Sequence, residues 1–290
     1  MGGQSGGMDV LSRLADQLAV CSWSLRPRDT GDLVEMLRAL GLPRVQLALN
    51  AHRGSEGGEE IGRELAAAGI EIVSGMFGTV GEDYSTLESI RRTGGVVPDE
   101  TWEENKELAA EVVEAARALG LKLVSFHAGF LPEDAADPNY AKLLARLREL
   151  GGMFASAGID LALETGQEEA PVLARFLDDL GAPNIGVNFD PANMLLYDKG
   201  DPVEALRTLL PYLKQVHIKD AVVPDIPKTW GTEVVVGTGQ VDWKAFLEVL
   251  AGADFRGALC IEREAGEDRL ADIRTAKEFI EAIAKGENES

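Results

Sequence analysis

Apolar positions along the chain switch repeatedly between two patterns. Short, β-prone apolar runs alternate with stretches whose apolar residues recur every three to four positions. The runs Leu18–Trp23, Arg44–Leu49, Ile70–Gly75, Leu121–His127, Ile159–Glu164, Ile185–Asp190, Lys214–Asp220 and Ala258–Glu262 read as strands. Between them the spacing predicts helices over Leu33–Leu40 (opened by Asp29-Thr30, stopped at Gly41), Ile61–Ala68 and Trp102–Leu119. Further helices are predicted over Tyr140–Ala157, Pro171–Leu180, Pro202–Leu210, Trp243–Ala251 and Leu270–Ala284. A Gly-rich loop carrying His52 precedes the second helix. The long insertion Met76–Thr101 has room for one short helix, Tyr84–Arg92, and its length suits a lid or binding loop.

Eight strand-then-helix units with no break in composition predict an α/β fold, a (β/α)8 TIM barrel, in one domain spanning residues 11–284. A doubly wound sheet also alternates, but eight regular units fit closure better. Residues 1–10 and 285–290 are expected to be flexible tails.

Four predicted strands carry a potential metal ligand at or near their carboxyl ends: Glu164, Asp190, His217 and Glu262. Taken singly, each has a bland explanation. Asp190, before Pro191, suits a turn cap, and His217 suits a core histidine bonded to a backbone carbonyl. Together they lie on consecutive strands five to eight and face one mouth of the barrel, where such enzymes place their chemistry. Burying three carboxylates is costly unless something pairs with them. The oxygen-rich set fits Mn²⁺ or Mg²⁺ better than a structural zinc, since no CxxC is present.

Composition narrows the partners. The net charge of −21 argues against nucleic acid, which needs a basic face. No apolar run is long enough to span a membrane, and no charged-then-apolar leader is apparent. Cys21 and Cys260 sit inside apolar runs and read as reduced core residues, so a cytoplasmic setting is expected. A small-molecule partner is expected, and a homo-oligomer is compatible with the sequence.

The motifs Leu163-Glu-Thr-Gly166, Phe189-Asp-Pro-Ala-Asn193, Val216-His-Ile-Lys-Asp220, Val236-Gly-Thr-Gly-Gln-Val-Asp-Trp243 and Ile261-Glu-Arg-Glu264 resemble the xylose-isomerase-like barrel superfamily. The resemblance is to its sugar phosphate isomerase/epimerase branch and covers Leu18 to Ile283. It implies one divalent metal on Glu164, Asp190, His217 and Glu262, Mn²⁺ first, with Mg²⁺, Co²⁺ or Zn²⁺ as alternatives. It also implies that Glu164 and Glu262 shuttle protons as a carbohydrate is isomerised or epimerised through a metal-bound enediolate. The ketose 3-epimerases carry a histidine and an arginine where this chain has Asn193 and Val223. Their contacts are therefore missing or rebuilt. Two rivals remain: a lyase or dehydratase using the same site on a keto-sugar or inosose, and a non-catalytic sugar-binding barrel.

Further residues are candidates for substrate contact. His127 suits a sugar hydroxyl or the barrel floor, and Lys219 suits the pocket or a salt bridge to Glu262 or Asp220. Trp23 suits sugar stacking or core packing, and Asn193 follows the strand-six acid. Arg263 is expected to point away from the barrel axis. The Gly237-Thr-Gly239 turn is expected to be a rim loop, with phosphate contact as the lesser alternative, and with no Arg/Lys cluster in the sequence both a sugar and a sugar phosphate stay open as substrate.

Overall fold

The computed structural model describes residues 11–226 and 228–286. The expected tail 1–10 and residues 287–290 of the expected tail 285–290 lie outside the described residues. Among the described residues ten strands follow one another: β1 (Leu18–Cys21), β2 (Arg44–Ala48), β3 (Glu71–Met76), β4 (Leu123–Phe126), β5 (Asp160–Glu164), β6 (Ile185–Phe189), β7 (Leu213–Ile218), β8 (Asp220–Val222), β9 (Thr232–Val234) and β10 (Leu259–Ile261). Eight of them close into a parallel barrel in the order β1-β10-β7-β6-β5-β4-β3-β2, as the alternating pattern predicts. β8 and β9 form a separate antiparallel ribbon at the mouth, after β7.

The helices start where short acidic side chains cap them. Asp29, Asp137, Asp201, Asp242 and Asp268 each accept a backbone N–H from the first turn of the helix that follows. On the strands, Leu18, Val20, Leu259 and Ile261 join the large core under the helices. At the alternate strand positions, Ala19, Cys21 and Cys260 form a small separate cluster. Both cysteines are free and buried.

Several sequence expectations need correction. The helix expected over Ile61–Ala68 runs Gly54–Ala67, so most of the presumed Gly-rich loop is helical. A Cβ on Gly58 would lie 2.6 Å from the Ala115 carbonyl oxygen, so glycine here permits close approach to helix Trp102–Ala118. Trp23 does not end β1; it sits in a one-turn helix, Ser22–Leu25. A short helix, Pro191–Leu196, follows β6 where a turn was expected. The insertion's helix is Leu87–Thr93.

The insertion is fixed to the end of β4 rather than free. The Val96 N–H donates to the Ala128 carbonyl at 3.0 Å, and Val96 is buried. Gly95 has φ +68°, and a Cβ there would lie 2.1 Å from Ala128 and Gly129 backbone atoms. Gly95→Ala is therefore expected to destabilise the protein by about 3 kcal/mol in urea unfolding. Gly152→Ala, on an exposed helical position with open space around it, should instead add about 0.5–1 kcal/mol.

Candidate functional site

The parallel register lifts four ionisable groups to one level of the barrel mouth. β5 ends in Glu164; Asp190 follows β6; His217 lies near the end of β7; Glu262 follows β10. One ligand atom from each lies within 4.8 Å of all the others, and all four residues are buried. His217 Nδ1 is 3.4 Å from Glu164 Oε1, 3.5 Å from Glu262 Oε2 and 3.9 Å from Asp190 Oδ2.

Each member is held from outside the cluster. Asp190 Oδ1 accepts the Ala192 and Asn193 N–H groups at 2.8 and 3.1 Å, so the aspartate does cap the helix that follows, while its other oxygen stays open. Asn193 Nδ2 donates to Glu164 Oε1 at 3.1 Å, and His127 Nε2 lies 3.5 Å from Glu164 Oε2. The Trp23 indole N–H donates to Glu262 Oε1 at 2.7 Å. Lys219, itself buried, donates to Glu262 Oε2 at 2.8 Å and to Glu264 Oε2 at 2.6 Å, with Asp190 Oδ2 at 3.8 Å.

Charge follows from this packing. Burial pushes Glu262 up, but the Lys219 ammonium and His217 outweigh it and hold the carboxyl well below its ordinary range. Asp190 is pushed up to about 8, by burial first; Lys219 opposes this, and Glu262 and Glu164 add to it. His217 Nδ1, Asp190 Oδ2 and Glu164 Oε2 are buried and have no hydrogen-bond partner. Unpaired polar atoms are expensive inside a protein. Three of them within one small cluster, with two carboxylates and an imidazole as donors, fit a divalent cation.

Beneath the cluster lies a chain of buried polar side chains that crosses the barrel. Ser74 Oγ donates to Gln215 Oε1 at 2.5 Å, Gln215 Nε2 to Asn188 Oδ1 at 3.3 Å, and Gln46 Nε2 to Ser125 Oγ at 2.9 Å. His217 Nε2 closes the chain, 2.8 Å from Gln46 Oε1 and 3.0 Å from Asn188 Nδ2. A proton on Nε2 bonds to Gln46 Oε1 and leaves the Nδ1 lone pair facing the carboxylates.

Above the cluster opens a cavity of about 470 Å³. Trp23, His127, Lys219 and Asn193 all line it, as do Glu164 and Glu262. His127 thus belongs to the mouth and not to the barrel floor. Lys219 pairs with Glu262 and not with Asp220, whose carboxylate accepts N–H groups of its own rim loop. Trp23 is half-buried; it packs against the small Ala19, Cys21 and Cys260 cluster and also donates its indole N–H to Glu262. Arg263 points away from the axis, to Glu233 at 2.8 Å and Asp272 at 2.9 Å.

Sequence reasoning missed Gln46, Asn188 and Gln215, although a lone amide inside an otherwise apolar strand was a visible signal. It also missed Glu82, Tyr197 and Glu233 in the cavity wall. The loop positions of Glu82 and Glu233 give no pattern from which to read them.

The model of the family described as xylose isomerase-like TIM barrel matches residues 28–283. A crystal structure of a xylose isomerase domain protein from Planctomyces limnophilus superposes with a TM-score of 0.85 at 33% identity, covering 93% of this chain and 98% of that one. A xylose isomerase-like TIM barrel protein from Mycobacterium smegmatis, in complex with magnesium, gives 0.68 at 19% identity over 90% and 91% of the two chains. D-psicose 3-epimerase with D-tagatose, from Clostridium cellulolyticum H10, gives 0.69 at 15% identity over 93% and 99%. These last two likenesses are of fold. Among curated proteins, the uncharacterized protein YihM of Escherichia coli (strain K12) is 28% identical over 96 residues, spanning 32% of this chain and only 29% of that protein.

For one buried acid near the site, burial outweighs the cations around it. Burial pushes Glu168, on the loop after β5, up to about 8, with Lys199 and His127 opposing. Its folded pKa thus lies above the unfolded value of about 4.3. The folded state then binds the extra proton, so stability falls as pH rises between these values. Glu168→Gln should match the parent's melting temperature at pH 4 and exceed it increasingly up to pH 8.5, measured by thermal unfolding across that range.

Proposed function

The chain belongs to the xylose isomerase-like TIM barrel family, and on that premise we propose that it is a divalent-metal-dependent sugar isomerase or epimerase. The observation that carries this reading is the set of three unpartnered buried atoms, His217 Nδ1, Asp190 Oδ2 and Glu164 Oε2, in one cluster below an open cavity. Glu164, Asp190, His217 and Glu262 would hold the ion, Mn²⁺ first and Mg²⁺ next. A bound divalent ion would polarise a sugar carbonyl and so acidify the neighbouring C–H.

The chain's own residues do the rest. Glu164 and Glu262 come from strands separated by β6 and β7, so they flank a sugar in the cavity from two sides. One accepts the carbon-bound proton; the other returns one to the opposite face or to the adjacent carbon. Their supports differ: Asn193 and His127 aim Glu164, while Trp23 and Lys219 aim Glu262. Lys219 also places positive charge beside Glu262 at the cavity wall. Leu196 and the aromatic side chains of Trp23, Tyr84 and Tyr197 give the cavity an apolar part of its wall. Among the described residues no helix is long and apolar enough to cross a membrane. The two free, buried cysteines accord with a reducing, cytoplasmic setting.

Glu164→Gln and Glu262→Gln are each expected to lower turnover by about 10³-fold. NMR in D₂O with Mn²⁺, over a panel of ketoses and aldoses, checks this by following deuterium entry next to the carbonyl. Unchanged exchange in either variant would remove it from the proton shuttle, and loss of water from the sugar would point to a lyase. Gln46→Leu should weaken Mn²⁺ binding about 10–100-fold by titration calorimetry. In ¹⁵N-histidine-labelled metal-free protein it should also move the His217 ring-nitrogen shifts, which a purely packing role for Gln46 would leave alone.

A further inference from the structure

We propose that the cavity takes an uncharged, polyhydroxylated sugar and rejects its phosphate ester; this rests on the sugar-enzyme reading above. The wall holds five carboxylates, Glu82, Glu164, Glu233, Glu262 and Glu264, against two basic side chains, Lys219 and His127. Lys219 is already committed, at 2.8 Å to Glu262 and 2.6 Å to Glu264. Arg263 turns its guanidinium outward to Glu233 and Asp272. No arginine is among the described lining residues.

The backbone gives the same answer. Barrels of this kind often grip phosphate with N–H groups after the seventh and eighth strands and at a helix N-terminus there. In this chain those groups are occupied by its own carboxylates. Asp220 Oδ2 accepts the Gly237 N–H at 2.9 Å, the Gly239 N–H at 3.1 Å and the Trp243 indole N–H at 3.0 Å. Its Oδ1 accepts the Val241 N–H at 3.2 Å. The loop is wrapped so closely that a Cβ on Gly239 would lie 2.1 Å from Asp220 Oδ1. The two helices that follow are capped in the same way, Trp243–Gly252 by Asp242 and Arg269–Lys285 by Asp268. A phosphate dianion would have to displace an aspartate at each position and then face the acidic wall.

Sugar hydroxyls meet the opposite situation, because carboxylates are acceptors and hydroxyls donate to them. Glu82 uses one oxygen on the Thr79 hydroxyl and the Gly95 N–H, and its other oxygen has only a 3.4 Å contact from the Tyr84 hydroxyl. Glu264 gives one oxygen to Lys219 and has a side chain 55% exposed at the cavity. These two residues set the preference for hydroxyl over phosphate at the positions away from the reacting carbons.

The test is ligand-observed NMR and calorimetry on the full chain with Mg²⁺, using free hexoses and pentoses, their phosphate esters, and inorganic phosphate as competitor. Free sugar should bind at least about tenfold more tightly than its ester, and inorganic phosphate should not compete. Glu264→Gln and Glu82→Gln should each narrow that gap; either one suffices if the other fails to fold. Ester binding equal to or tighter than free sugar overturns the proposal, as does binding of neither. Free-sugar binding with no deuterium exchange would leave this selectivity standing while removing the isomerase or epimerase reading.

Discussion

Three carboxylates and an imidazole are buried within 4.8 Å of one another, and much of the surrounding structure serves to make that tolerable. Left alone, such a cluster would protonate or admit water. Lys219 supplies one internal counter-charge, and the remaining demand is visible as open lone pairs on Glu164, Asp190 and His217. A cluster balanced only in part by its own residues fits a cation. It also resists collapse, because each ligand is anchored on its far side by an indole, an amide or a helix N-terminus.

Barrel closure converts this chemical demand into geometry. Each candidate ligand sits near or just beyond the end of a different strand, and parallel pairing sets their heights together: Glu164 opposite Asn188, and Cys260 opposite His217. A one-residue slip in any strand would turn its ligand into the helix layer. The helix layer in turn depends on aspartate caps and on close glycine contacts such as Gly58 against Ala115. Scaffold and site therefore share one set of register constraints.

How much of this could be read from the sequence depends on the range of the interactions involved. Strands and helices were legible because their periodicity is local, and the four candidate ligands were legible because each closes, or nearly closes, an apolar run. The helical start at Gly54 was not, because three glycines there signal a loop until Gly58 is seen to let Ala115 approach closely. The β8–β9 ribbon was hidden because its strands have three residues each and no strong alternation. The amide chain under the site was illegible for a different reason: Ser74 and Gln215 are 141 residues apart, and neither makes sense in a buried strand without the other.

That amide chain also constrains how the sequence can change. Ser74 donates to Gln215 and Gln215 to Asn188, while His217 donates to Gln46 and Gln46 to Ser125; the two runs meet at the His217 ring, where Asn188 Nδ2 lies 3.0 Å from Nε2. Replacing one member alone strands a donor or acceptor in the barrel interior. Exchanges within it are tolerable mainly in pairs, such as Ser74 with Gln215 or Gln46 with Ser125. Across related chains these positions should then vary together rather than independently, so their history would be written in correlated substitutions linking strands that never touch through their backbones.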